Sequence, residues 1–387
     1  MKHPAAPESC WRVTAERGFL MAADPLDDLD DAVDGPLRDA LAEVLNAARA
    51  LPRLLESGDL RARCRALPVP DLAGGERIAG EAAAERLHQA YAFLANAYLW
   101  APGEEPSFTL PAPLARPFAE LSLRVGRPPV LSYAATQLCN WRRRDPAGPL
   151  AADNLAPIQV FQELPDEAWF WIIHIAIEAA GGPAVVAGAA AVEAAEAEDA
   201  AALEAALADI GRGLTRITRL ARRIEEGCSP DIFFRTLRPF LFSPPEGILF
   251  EGVERFGGEP VAFLGQTGAQ SSLLPAICAA LGIRHGKSDL TSYLAAVRDY
   301  MPAPHRAFVA GLKGEKVRDF VAARPERPSL REAYNGCIEG VIAFRRFHLT
   351  LAAKYIASKV EAPLGTGGTD FMRWLRHMTK ETQAQFI

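Results

Sequence analysis

From Trp169 the chain reads Trp-Phe-Trp-Ile-Ile-His-Ile-Ala-Ile-Glu. That run is apolar at every angle around a helix, which predicts a central helix packed on all sides, with Asp166 as its N-cap. Gly181-Gly182-Pro183 is expected to break or kink it. Beyond lies an Ala/Glu-rich stretch in which Leu203, Ala206, Leu207, Ile210, Leu214, Ile217 and Leu220 recur by threes and fours, so a packed helix is expected to about Glu226. Glu81 to Trp100 reads as a helix, as do 230–241, 270–281, 288–299, 304–322 and 329–358. A shorter helix is expected around Tyr133 to Arg143, ended by Asp145-Pro146 and Gly148-Pro149. Residues 101–130 carry prolines at 102, 106, 111, 113, 117, 128 and 129 and are expected to be largely extended or looped. Residues 1 to about 75 mix short helical patterns with breakers such as Asp24-Pro25 and Pro68-Val69-Pro70. No β-α-β alternation is present, so the expected fold class is all-α. A smaller N-terminal domain with a connector is expected over 1–155, and a large helical domain over 156–387.

Composition narrows the partners. The 387 residues are 49% hydrophobic and 23% charged, with a net charge of -6, which offers no basic field for a nucleic-acid backbone. The N-terminus lacks a continuous apolar core of the kind a signal peptide needs, and Trp169 to Ile177 is too short to span a bilayer. No membrane association is expected. The six cysteines, at 10, 64, 139, 228, 278 and 337, are scattered without a C-x-x-C pair, which fits reduced thiols and a cytoplasmic location.

Four features bear chemistry. The inward face of the last long helix is Ile338, Val341/Ile342, Arg345, His348/Leu349, Ala352 and Tyr355/Ile356. An imidazole buried there without a partner would cost roughly 1–3 kcal/mol. His348 is therefore either a core histidine bonded to a carbonyl or a haem ligand, with Ala352 leaving room for the porphyrin and Arg345 meeting a propionate. Spacing leaves both open. His174 lies mid-helix between Phe170 at i−4 and Glu178 at i+4, and two ligands make a poor metal site. Arg238, after Phe233-Phe234, suits either a carboxylate clamp against an aromatic wall or an ordinary ion pair. Gly365-Thr366-Gly367-Gly368-Thr369-Asp370 follows a helix and lacks the Lys-Ser/Thr of a phosphate loop, so it is a lid with glycine hinges or a plain connector.

Together these segments resemble the indoleamine 2,3-dioxygenase family. The matching stretches are Pro128-Pro129-Val130-Leu131-Ser132-Tyr133-Ala134, Asn140-Trp141 with Asp145-Pro146, and Phe233-Phe234-x-x-Leu237-Arg238. They continue with Gly268-Ala269-Gln270-Ser271-Ser272, Tyr300-Met301-Pro302-x-x-His305-Arg306 and Arg331-Glu332-Ala333-Tyr334. The run closes on His348-Leu349, Lys354-Tyr355-Ile356 and the 365–370 loop. The resemblance covers about residues 100–387 and is carried by the set rather than by any one motif.

What the resemblance implies is a helical two-domain enzyme with haem b, inserting O₂ across the indole C2–C3 bond of L-tryptophan to give N-formylkynurenine. It needs an electron donor to keep the iron ferrous. His348 would be the proximal ligand, with Arg345 at a propionate. Arg238 would bind the substrate carboxylate. Tyr133, Thr136, Phe170, Phe233 and Gly268 would line the indole pocket, and Thr366 would close over the ammonium group. Some positions depart from the family's mammalian members. His174 stands where they carry serine, whereas related tryptophan 2,3-dioxygenases place a histidine at the comparable site to accept the indole N–H. Thr136 and Gln137 replace smaller or less polar side chains, and Gly265-Gln266-Thr267-Gly268 replaces a more glycine-rich loop. These departures keep a different oxidation of an indole or aromatic amino acid in view. A non-catalytic haem sensor is the third reading, and it would need neither Arg238 nor the 365–370 loop.

Overall fold

The computed structural model describes residues 9–29, 33, 36–72, 78–360, 365–366 and 370–387. The fold is helical, as expected. In chain order the helices are α1 (Pro36–Arg49), α2 (Leu51–Ser57), α3 (Leu60–Arg65), α4 (Gly80–Leu99) and α5 (Ala112–Val125). Then follow α6 (Pro165–Glu196), α7 (Ala200–Arg222), the single turn α8 (Pro230–Ile232), α9 (Leu273–Ala280) and α10 (Asp289–Ala296). The chain ends with α11 (Ala303–Gly311), α12 (Gly314–Ala322), α13 (Pro328–Tyr355) and α14 (Phe371–Gln383). The described strands are two-residue pairs: β1 (Thr109–Leu110) runs parallel to β4 (Leu249–Phe250), and β2 (Arg142–Arg143) antiparallel to β3 (Leu155–Ala156).

Helix α6 is the axle. It runs 32 residues straight through Pro183, where a break or kink was expected. Its neighbours explain the continuity. A Cβ on Gly181 would strike Leu273, and one on Gly182 would lie 2.5 Å from the carbonyl oxygen of Ala15 and 2.7 Å from the amide of Gly18. Packing on both sides thus offsets the hydrogen bond that proline removes. Gly18 itself has φ +57° and presses on the carbonyl of Glu178, so the N-terminal turn at 14–18 is locked onto the middle of α6. Asp166 does not cap the helix. Leu164 occupies the cap position, and the Asp166 carboxylate accepts the amide of Ser229 at 2.6 Å. By length and composition α6 could cross a membrane, but 67% of its most apolar 18-residue window is buried inside the protein, as befits a core helix.

Helix α7 starts at a true cap, Asp199, which accepts the amides of Ala201 and Ala202 at 3.0 Å each. It packs against α6 and α13 through small residues: Gly213 faces Ala184, and a Cβ on Gly340 would come within 2.9 Å of Leu214.

Three other expectations fail for local reasons. Residues 112–125 form α5 despite their prolines: Pro113 sits in the first turn, and Pro117, inside the helix, is carried by the buried stripe of Leu114, Phe118, Leu121 and Val125. The expected 304–322 helix is two, α11 and α12, because Gly314 packs against the carbonyls of Ala279 and Ala280 where a side chain would clash. In place of a helix from Tyr133 to Arg143 there is one π-type turn over Ala134–Leu138, then β2.

A continuous apolar core runs from Trp11 to Tyr355. Polar bridges also cross from α4: Asn96 donates to the carbonyls of Phe240 and Phe242, the latter at 3.3 Å, and Trp100 Nε1 donates to Phe242 at 3.0 Å.

Candidate active site

Phe170, His174 and Glu178 follow one another by single turns along α6. The His174 Nδ1 lies 2.8 Å from the Phe170 carbonyl oxygen, so Nδ1–H donates there and the Nε2 lone pair is left as an acceptor. Burial depresses the His174 pKa against the opposing effect of that carbonyl, which keeps the ring neutral. Glu178 does not pair with His174. Its Oε1 accepts the hydroxyl of Tyr133 at 2.9 Å and that of Ser271 at 2.5 Å, while Oε2 is buried with no hydrogen-bond partner among the described residues. Burial pushes its pKa up to about 7. No cluster of three or more His, Cys, Asp or Glu able to hold a bare metal ion occurs among the described residues.

The aromatic residues expected in the pocket form one wall. The Phe170 ring is 4.4 Å from His174 and 4.9 Å from Phe233; Phe233 is 5.8 Å from Tyr355, and Tyr133 stands edge-on to His174 at 6.5 Å. Phe233 opens a second π-type turn, Phe233–Leu237, and Arg238 follows it directly. The Arg238 guanidinium is sandwiched 5.2 Å from the Phe234 ring and 4.6 Å from that of Phe242. The segment is held from outside by Asn96 of α4 and by Trp100, which follows it.

On α13 the buried stripe runs Leu330, Tyr334, Cys337, Ile338, Val341, Ile342, Arg345 and resumes at Ala352 and Tyr355. It is interrupted at the turn of His348, which is exposed. Yet surrounding protein, and then the proximity of His174, push the His348 pKa down to about 4. An accessible ring that is nonetheless desolvated faces a recess rather than bulk water. Phe344 stacks parallel to it at 6.4 Å. A core histidine bonded to a carbonyl would be enclosed, so the haem-ligand alternative fits better. The position has what a haem ligand needs: a neutral imidazole with an accessible face, the small Ala352 one turn on and the Phe344 ring beside it.

Arg345 is engaged elsewhere. Its Nη1 donates to the Met378 carbonyl at 2.9 Å and to Thr382, and its Nη2 meets Cys278 Sγ at 3.5 Å and His285 Nε2 at 3.3 Å. His285 in turn contacts Glu381 at 2.7 Å. This network ties α13, three residues before His348, to α14; a propionate would have to share the same guanidinium.

The 265–272 loop closes the recess beside Tyr133. Gln270 accepts the Tyr133 amide at 2.8 Å and donates to the Gly265 carbonyl at 3.1 Å. Gly268 is exposed with open space around its Cα. Thr366 donates its hydroxyl to the Gln266 carbonyl at 2.5 Å, which anchors the glycine loop here; residues 367–369 of that loop lie outside the described residues. Thr136 is fully buried and bonded to Gln266 at 3.1 Å. The structure thus gathers Tyr133, Phe170, His174 and Phe233 side by side, with His348 near enough to feel His174, and brings Thr136, Gly268 and Thr366 onto the loop beside Tyr133. The roles of Ser271 and Asn96 left no sequence signal, because each depends on a partner far along the chain.

A helical chain with an exposed histidine on one helix and a second, neutral histidine beside an aromatic wall on another is compatible with an oxidoreductase of the haem-dioxygenase class, and the comparisons with known proteins assign that class. The family model for indoleamine 2,3-dioxygenase matches residues 8–385, and the chain belongs to that family. It is 34% identical to indoleamine 2,3-dioxygenase 1 of Rattus norvegicus, over 88% of each chain. It is also 34% identical to indoleamine 2,3-dioxygenase 1 of Mus musculus, over 91% of each. A 6-hydroxytryptophan 2,3-dioxygenase of Fusarium equiseti is 32% identical, over 89% of this chain and 84% of its own.

Proposed function

We propose that this protein cleaves the indole ring of L-tryptophan, inserting both atoms of O₂ across C2–C3 to give N-formylkynurenine. The observation that carries the reading is an exposed His348 on α13 close enough to feel His174, whose ring packs against Phe170 and, through it, Phe233, in a chain of the indoleamine 2,3-dioxygenase family. His348 would hold haem b, which supplies the redox-active iron; an electron donor keeps it ferrous. The rest falls to side chains. His174 Nε2 accepts the indole N–H and so sets the ring's orientation. Phe170, Phe233 and Tyr133 enclose the ring and exclude water. Arg238 binds the carboxylate, and Thr366 approaches the ammonium group from the Gln266 side. Little acid–base machinery is required, and Glu178 serves to hold Tyr133 and Ser271 in place. The Arg345–His285–Glu381 network steadies the helix that presents His348. The family supports an indole substrate broadly, since the Fusarium relative is named for a hydroxylated tryptophan.

The test is turnover of L-tryptophan by haem-loaded, reduced protein under ¹⁸O₂. A product heavier by two labelled oxygens establishes the reaction. Intact tryptophan beside bound haem would leave the family assignment standing and turn the reading to another oxidation of an indole or aromatic amino acid.

A further inference from the structure

Three polar side chains packed behind Tyr133 have no part in the chemistry above. Thr136, Gln137 and Gln266 are 0%, 0% and 4% exposed. Gln266 Nε2 donates to Thr136 Oγ1 at 3.1 Å and to Gln137 Oε1 at 3.2 Å. The Thr136 hydroxyl lies between the Ser132 carbonyl, at 3.0 Å, and Gln137 Oε1. Gln137 Nε2 is buried without a hydrogen-bond partner among the described residues. Turning both amides by half a rotation would keep the Gln137–Gln266 bond and leave an unmatched acceptor in place of the unmatched donor. In either orientation one valence is open. Burying such a group is destabilising unless something fills it.

The trio stands on the elements that build the substrate wall. Thr136 and Gln137 lie in the π-type turn that directly follows Tyr133, and such turns are frequent at functional sites. The Gln266 backbone carries Thr366, and its neighbour Gly265 is tied through Gln270 to the Tyr133 amide.

We propose that Thr136, Gln137 and Gln266 form a specificity subsite for a hydroxyl group on the benzo ring of a tryptophan-type substrate. The Gln137 amide bonds the hydroxyl, and the other two side chains fix that amide. The proposal rests on the indole-dioxygenase reading of the recess. A hydroxyl is singled out because it both donates and accepts, so it matches either amide orientation. A methyl group, a halogen or the bare ring leaves the valence open.

The experiment compares kcat/KM of haem-loaded, reduced protein for tryptophan, its 4-, 5-, 6- and 7-hydroxy isomers and the corresponding methyl analogues. One hydroxy isomer is expected to exceed tryptophan by about tenfold, the worth of one good hydrogen bond, with no such gain for its methyl analogue. In Gln137→Leu, and separately in Thr136→Val, that ratio falls to near one. A general loss of activity cancels in the ratio, and calorimetric binding of the same two amino acids supplies a readout without turnover. A wild-type protein that treats all the isomers alike overturns the subsite, as does a preference that survives in both variants because a buried water fills the amide. Tryptophan turnover without hydroxyl preference removes the subsite alone. If none of the compounds is cleaved, the dioxygenase reading falls with it.

Discussion

Glu85 on α4 and Glu178 on α6 are each 1% exposed, yet the two regions satisfy their carboxyl groups in opposite ways. Around Glu85 both carboxylate oxygens are paired: Arg127 embraces the two, with Nη1 at 2.8 Å from Oε1, and Trp11 Nε1 adds a third bond at 2.9 Å. That network staples the N-terminal segment to α4 and to the end of α5. Around Glu178 two hydroxyls share one oxygen and the other oxygen has no hydrogen bond. The Gln137 amide shows the same incompleteness. At Glu85 a fully paired carboxylate holds chain to chain; at Glu178 one carboxyl oxygen is left open beside the side chain of Tyr133.

The contrast breaks most visibly at Arg127. Arg127→Met leaves Glu85 buried without its cation and should cost about 3–5 kcal/mol, read as a lowered denaturant midpoint. A loss below about 1 kcal/mol would show that the pair is not structural. Substrate preference among the molecules that remain folded should be unchanged.

His348→Ala is the converse. The ring is accessible and makes no hydrogen bond among the described residues that the fold depends on, so the fold should survive, while haem retention and turnover fall by about a thousandfold. Normal haem content in this variant would remove His348 from the iron.

Glu178→Gln sharpens the comparison through pH. The folded protein keeps the Glu178 proton up to about pH 7, against an ordinary value of 4.5. The resulting contribution to stability is complete below pH 4.5 and is lost as the pH rises through 7, on the order of 3 kcal/mol in total. Glu167 is raised to about 7 by the same cause, so the parent protein carries both slopes and Glu178→Gln only one. Identical pH–stability profiles for parent and variant would contradict this.

The smallest effect is expected at His174. If Nε2 accepts the indole N–H, 1-methyl-tryptophan should be several-fold poorer than tryptophan, and His174→Ala should shrink that gap. Equal turnover of both by the parent would exclude the hydrogen bond.

Local periodicity carried much of this into the sequence. The stripes of α7 and α13, and the all-helical class, follow from residues three and four apart. The His174 tautomer is set by a carbonyl one turn away. Other features depend on distant partners. Glu178 is defined by Tyr133 and Ser271, 45 and 93 positions off. The continuity of α6 through Gly181-Gly182-Pro183 depends on Leu273 and on the turn at 14–18. The prolines of α5 misled because one falls in the first turn, where a missing amide costs nothing. At His348 the stripe predicted burial, whereas the ring is exposed, which residues three and four apart do not reveal.

The turn at Gly18 gives the recess an adjusting screw on its outer side. Its Cα rests against the carbonyl of Glu178, with no space for a methyl group. A single added carbon there would displace the turn of α6 that carries the carboxyl gripping Tyr133. The dimensions of the indole cavity can therefore drift by mutation at a position that touches neither haem nor substrate, and variants selected for bulkier substrates should turn up at residues 14–18 as well as in the wall itself.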